Sequence, residues 1–259
     1  MTRRKHYREN LSRVPLLAIV VLTIGVRAFG SDGPTTPAEV LDLARWKLTL
    51  PYDTRRAGNP DEVLQPELAT FTDPTCFYAE QLDGDGPAVV FRAACDGLGT
   101  VNSKYPRSEL RQMAPGGEDE IGWATDDGGV HTLEVDLAVT HLPTRKPHVV
   151  CVQVHDAEDD VLMLRVEGKK LLLERCQDGD LRLVSDYELG TRLCLKIEAS
   201  DGRLRAWHDD EQVMDWPIVK RGCYYKLGCY TQSSREIEAD PGEYGEVRVY
   251  AAEVVHQRP

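Results

Sequence analysis

The chain has 259 residues and a formal charge of −12 at neutral pH, and 41% of its residues are apolar, enough for a folded core. Setting aside residues 1–30, for the reason given below, leaves 25 basic against 42 acidic side chains, about −17. That balance argues against nucleic acid or an anionic membrane as partner; it does not exclude an anionic substrate, because the field at contact is set by the nearest charges and a groove can be basic on an acidic body.

At the N-terminus Arg3, Arg4, Lys5, Arg8 and Arg13 precede an apolar run from Val14 to Val26 that ends near Ala28-Phe29-Gly30. The pattern is that of a secretory signal peptide over 1–30, cut before Ser31. Thr2-Arg3-Arg4 also fits a twin-arginine leader, but arginine clusters are ordinary in such segments and the ordinary reading is preferred. The run falls short of the ~20 residues that span a bilayer. Residues 31–259 are therefore expected as a secreted monomer, extracellular or periplasmic and free of the membrane. They hold no Pro/Ser-rich linker, repeat or low-complexity run and are read as one domain.

Thr36-Pro37-Ala38-Glu39 is a capping box with proline at the first helical position, predicting a helix that runs into Val40, Leu41 and Leu43. Everything after it reads as strand: 46–50, 89–93, 132–140, 149–155, 161–166, 170–176, 181–187, 193–199, 204–208 and 246–255. Glu167-Gly168, Asp178-Gly179 and Asp201-Gly202 mark turns between them. So many strands at short spacing predict an all-β fold, a sandwich or β-jelly roll of two antiparallel sheets, one of them with a concave groove lined by alternate residues.

Seven cysteines (Cys76, Cys95, Cys151, Cys176, Cys194, Cys223, Cys229) follow the leader. Export permits disulfides, and an odd number leaves at least one thiol. Cys76 with Cys95, across turn-rich sequence, is the preferred bridge, and Cys176 with Cys194 the second. Cys223 and Cys229 cannot pair within one straight strand, where six residues span ~20 Å against the ~7 Å that a bridge tolerates. With neither CxxC nor HExxH spacing in the chain, no metal or cofactor is expected.

Three stretches carry an unusual polar face. In YPRSELRQM, period-two alternation puts Tyr105, Arg107, Glu109 and Arg111 on one side; in CVQVHD it does so for Gln153 and His155, with Cys151 on the same parity. In YYKLGCYTQ, Tyr224, Lys226, Gly228, Tyr230 and Gln232 oppose Tyr225, Leu227, Cys229 and Thr231. A solvated sheet face would also be polar, but here the groups are varied and include an acid/base candidate of each kind.

RSELR (107–111), QVH (153–155) and YYKLGCYTQ (224–232) resemble, in order and separation, the three motifs of the alginate lyases of polysaccharide lyase family 7. WKLTLP (46–51) and GEVRVY (245–250) resemble that family's first and last strands, so the likeness runs from about Arg45 to Val255. The resemblance implies a β-jelly roll holding alginate, a linear anionic polysaccharide, in its groove. It further implies that Arg107 and Gln153 neutralise a uronate carboxylate and that Tyr230 is the catalytic tyrosine, with His155 beside it. Glu109 is then expected to orient Arg107 and Arg111, Lys226 and Arg111 to bind sugar carboxylates or hydroxyls, Tyr224 to stack on a sugar ring, and Gln232 to reach substrate from the same strand face.

A lyase of this kind removes the C5 proton of a uronate and expels the C4 oxygen. Charge building on the carboxylate must be met by fixed donors, for which a guanidinium fork is well shaped. In mannuronate the C5 proton and C4 oxygen lie on the same side of the ring, so Tyr230 can serve both steps; in guluronate they are opposite, and His155 as base with Tyr230 as acid is needed. A free tyrosine has a pKa near ~10, so Lys226, Arg107 or Arg111 is expected to favour the phenolate. The valine of QVH, where the family also uses isoleucine, points to mannuronate-rich substrate.

A retaining jelly-roll hydrolase would need ExDxxE; Glu134-Val135-Asp136 has Val139 where the second glutamate belongs. A non-catalytic sugar-binding module would not need tyrosine and histidine beside a carboxylate clamp, and glucuronan is the alternative polyuronate.

Overall fold

Alternation such as Trp46-Lys47-Leu48-Thr49 buries one face of a strand and leaves the other free. The computed structural model, which describes residues 33–257 apart from 56 and 177, contains fifteen strands. The leader read at 1–30 lies outside the described residues. In chain order the strands are β1 (Trp46–Thr49), β2 (Glu62–Val63), β3 (Phe77–Leu82), β4 (Gly86–Ala94), β5 (Arg107–Gln112), β6 (Val130–His141), β7 (His148–His155) and β8 (Asp160–Glu167). Then follow β9 (Lys170–Arg175), β10 (Gly179–Val184), β11 (Leu193–Ser200), β12 (Arg203–His208), β13 (Glu211–Pro217), β14 (Tyr224–Thr231) and β15 (Tyr244–Gln257).

They form a β-jelly-roll sandwich. One sheet has the order β10-β9-β8-β7-β14-β5-β1-β2 and the other β13-β12-β11-β6-β15-β4-β3, and the neighbouring strands run antiparallel throughout. The three polar stretches fall on β5, β14 and β7, adjacent in the eight-stranded sheet. Their alternate residues Leu110, Tyr225, Leu227, Cys229, Val152 and Val154 enter the core, where they meet Phe91, Leu133, Leu195 and Val247 of the other sheet. Each such aliphatic side chain contributes about 1.5–3 kcal/mol by leaving water, so the core face fixes strand register and thereby the polar face.

Four expectations are corrected. The capping box closes only a single 3₁₀ turn, Pro37–Glu39, with Glu39 Oε2 accepting the Thr36 N–H at 3.0 Å. Leu41 and Leu43 are both buried at a spacing of two, which a helix face cannot deliver, and Asp42 Oδ1 caps the Ala44 N–H at 3.0 Å.

Neither proposed disulfide forms; all seven cysteines are free. β3 pairs Phe77 with Phe91, so Cys76 falls opposite Arg92, and Cys95 lies three residues farther along, about 10 Å away. Cys176 follows β9 and Cys194 lies on β11, in different sheets.

Cys151 does not follow the parity of Gln153. Val150 pairs with Arg165 and Val152 with Leu164, so Cys151 is the extra residue of a bulge. The bulge turns it into the core, its Sγ donating to the Leu164 carbonyl at 3.4 Å.

Finally, the strand read over 181–187 ends at Val184, while Tyr187 turns inward and its hydroxyl donates to the Thr191 carbonyl at 2.7 Å.

Candidate active site

Strand register assembles the groove. Lys226 on β14 stands between Arg111 of β5 and Gln153 of β7; Tyr230 pairs with Arg107, and Tyr224 with His155. Gly228, opposite Glu109, contributes no side chain at the centre. It has φ +143°, and an added Cβ would come within 2.5 Å of the Ser108 carbonyl oxygen, so glycine is what lets β14 lie this close to β5.

Around that centre Glu109, only 4% exposed, gathers three of the expected groups: Arg107 Nη1 at 3.3 Å, Lys226 Nζ at 3.9 Å, and the Gln153 amide, which donates to Oε1. A buried carboxylate without such partners would be costly; here it also fixes the rotamers of the three side chains. Arg111 is not among them. It pairs with Glu120 at 3.1 Å, and its guanidinium lies 3.9 Å over the ring of Tyr224.

Tyr224 in turn stacks on His155, 5.2 Å between centroids, with its hydroxyl 3.1 Å from Nδ1. The ring expected to meet a sugar is thus packed against protein partners. His155 Nδ1 is 2.7 Å from the Asp156 carbonyl, which can only accept. The proton therefore sits on Nδ1 and the Nε2 lone pair is uncommitted. Burial, helped by Lys226, holds the imidazole pKa below its ordinary value and keeps it neutral.

Tyr230 carries the Arg107 guanidinium 4.0 Å over its ring, and its hydroxyl is 2.8 Å from Ser103 Oγ. Burial pushes its pKa up although Arg107 and Ser103 act the other way. Arg107 thus favours the phenolate in the expected direction, but burial outweighs it, and the Glu109 carboxylate also favours the phenol. Lys226 is itself pushed down by burial, against the pull of Glu109.

Arg107, Glu109, Arg111, Gln153, His155, Tyr224, Lys226 and Tyr230 all line one cavity of about 570 Å³. Gln232 does not; it lies beyond the end of β14, its N–H bonded to the His148 carbonyl at 3.0 Å. Lys47 and Thr49 of β1, Ser103 and Tyr105 of the β4–β5 loop, and Asp160 of β8 line the cavity as well. The alternation of WKLT could have indicated Lys47 and Thr49. Nothing in the sequence marks Ser103.

The profile of the alginate lyase family matches residues 41–256. A polysaccharide lyase family 7 alginate lyase, AlgAT5, has a solved structure that is 41% identical with TM-score 0.79, covering 86% of this chain and 99% of that one. The alginate lyase of Corynebacterium sp. is 36% identical with TM-score 0.80, covering 86% and 99%. An alginate lyase of Klebsiella pneumoniae is 28% identical over 152 residues, 49% of this chain; the match spans about half, 48%, of that curated relative. Fold and groove are those of a polysaccharide lyase. The chain belongs to the alginate lyase family, polysaccharide lyase family 7.

Proposed function

We propose that the chain is an exported enzyme that cleaves alginate by β-elimination at the 4-O-glycosidic bond, leaving an unsaturated uronate end. The observation that carries this reading is the pairing, in one groove, of a neutral imidazole with an uncommitted Nε2 and a buried phenol beside a guanidinium–amide–ammonium set. Arg107, Gln153 and Lys226 hold the uronate carboxylate, and Glu109 positions them. An arriving carboxylate adds a counter-charge to a desolvated Lys226, an interaction strengthened by the low local dielectric.

For guluronate, His155 Nε2 takes the C5 proton and Tyr230 gives its own to the C4 oxygen. For mannuronate, the Tyr230 phenolate takes the C5 proton and passes it to the C4 oxygen on the same side. The raised phenol makes the second route rise with pH. We assign mannuronate as the preferred substrate on the valine of QVH; Val154 is fully buried and acts only through the backbone that carries Gln153 and His155.

The test is ultraviolet absorbance of the unsaturated product from polymannuronate, polyguluronate and glucuronan. Higher kcat/KM on polymannuronate supports the reading. Dominant cleavage of polyguluronate overturns the preference, and cleavage of glucuronan alone overturns the substrate. Export is checked by N-terminal sequencing of the protein recovered outside the cytoplasm, expected to begin at Ser31.

A further inference from the structure

Ser103 belongs to none of the three motifs, yet its Oγ is the hydrogen-bond partner of the Tyr230 hydroxyl, at 2.8 Å. It sits at the base of a tight turn, its N–H donating to the Thr100 carbonyl at 3.1 Å, with the tip residue Val101 88% exposed. Two further contacts fix its position. Oγ accepts the Tyr105 N–H at 3.2 Å, and the bare backbone of Gly99 lies against the turn. A Cβ on Gly99 would come within 2.2 Å of the Ser103 carbonyl oxygen and 2.5 Å of the Lys104 carbonyl carbon, so any side chain there must push Ser103 away. With the Tyr105 N–H directed at one lone pair, the serine proton is free to turn toward Tyr230. Once Tyr230 has lost its proton, it can only accept, and the serine is the donor.

We propose that Ser103 is a positioning residue for the reaction: it holds the Tyr230 oxygen in the groove and donates the hydrogen bond that stabilises its phenolate form. The inference rests on the reading of Tyr230 as the proton carrier. In the mannuronate route the phenolate oxygen binds the C5 proton, and the C5–H electron pair becomes the C4–C5 double bond as the C4–O bond breaks. The leaving oxygen keeps the C4–O electron pair and takes the proton from Tyr230, which returns to phenolate. Tyr230 therefore accepts the serine hydrogen bond before and after each turnover, and a charge-assisted bond of that kind is stronger than a neutral one.

The charged and titratable groups around Tyr230 are Arg107 and Glu109 from β5, Asp160 from β8, Lys226 on its own strand and the Tyr105 ring, centroid at 6.4 Å. Arg107 and Ser103 favour the phenolate; burial, Glu109 and Asp160 oppose it. Without the serine, the balance tips further toward the phenol.

The experiment is the kcat–pH profile on polymannuronate for the wild type, Ser103→Ala, Ser103→Thr, Gly99→Ala and Tyr230→Phe, with thermal midpoints confirming folded protein. Ser103→Ala is expected to lower kcat at neutral pH about tenfold with little change in KM, and to recover turnover at alkaline pH, because the Tyr230 limb moves up by about one unit. Ser103→Thr keeps the hydroxyl and restores the wild-type profile; Gly99→Ala, which leaves the serine but displaces it, reproduces the shift. An unshifted profile in Ser103→Ala, or a change in KM alone, overturns the inference while Tyr230→Phe remains inactive. Turnover by Tyr230→Phe overturns the underlying assignment of Tyr230 instead.

Discussion

His155 and the pair His131–His256 use the same side chain in opposite ways. His131 on β6 and His256 on β15 are register partners, and their Nδ1 atoms lie 2.7 Å apart. Gln112 Oε1 accepts from Trp123 Nε1 at 3.3 Å and the Tyr225 N–H at 3.1 Å, which makes its Nε2 the donor to His256. His256 then donates from Nδ1 to His131, and His131 Nε2 donates to the Asp127 carboxylate at 3.1 Å. Each ring nitrogen is used up inside the protein, with Trp123 stacked on His131 at 4.8 Å. At His155 only Nδ1 is used, and among the described residues Nε2 has no partner. A cluster of titratable groups marks chemistry only where a lone pair or proton is left over for a substrate; otherwise it is a well-satisfied piece of core.

Mutation should separate the two. His155→Ala is expected to lower kcat on polyguluronate by ~10²–10⁴-fold, less on polymannuronate, with the thermal midpoint unchanged. Equal losses on both polymers would remove the two-route distinction. Gln112→Ala should do the reverse. It leaves the Trp123 and Tyr225 donors and His256 Nε2 unpaired and lowers stability in denaturant titration by about 1–3 kcal/mol, while kcat per folded molecule stays the same.

Burial lowers the imidazole pKa at both sites, with different consequences. His256 is held down to about 4, mainly by burial and the His131 neighbour. The unfolded chain binds that proton at higher pH, near the ordinary imidazole value of 6.5. Its contribution to stability is therefore complete above the unfolded pKa and is lost as pH falls through the folded one. A fall in thermal midpoint over that interval, reduced in His256→Phe, is expected. His155 is also held below 6.5, so kcat/KM on polyguluronate should keep its neutral base at mildly acid pH and lose it lower down. Smallest is the effect of Tyr224→Phe, a few-fold on kcat by initial rates, because the Asp156 carbonyl still holds Nδ1–H when the Tyr224 hydroxyl is gone.

Much of the groove was legible because side chains along its strands point alternately to groove and core. The faces of RSELR, QVH and YYKL follow from period two, and each reading survives in the register of β5, β7 and β14. Where one residue is inserted the rule inverts, as at Cys151, and a bulge leaves no mark in composition. The misjudged disulfides share that cause: turn-rich sequence between Cys76 and Cys95 says the chain reverses, but not which residues end opposite. β3 and β13 passed unread because FYAEQL and EQVMDWP alternate too weakly to stand out. Ser103, and the meeting of Gln112 with His256 144 residues away, depend on tertiary placement alone.

The central claim, that the Tyr230 hydroxyl carries the proton, is tested most directly by Tyr230→Phe on polymannuronate, with circular dichroism confirming an unchanged sheet. Loss of one hydroxyl and retention of the ring predicts a fall in kcat of ~10²-fold or more, with a much smaller change in KM. Near-normal turnover would contradict the account: Tyr230 would then be packing beneath Arg107, and the proton transfer would belong to His155.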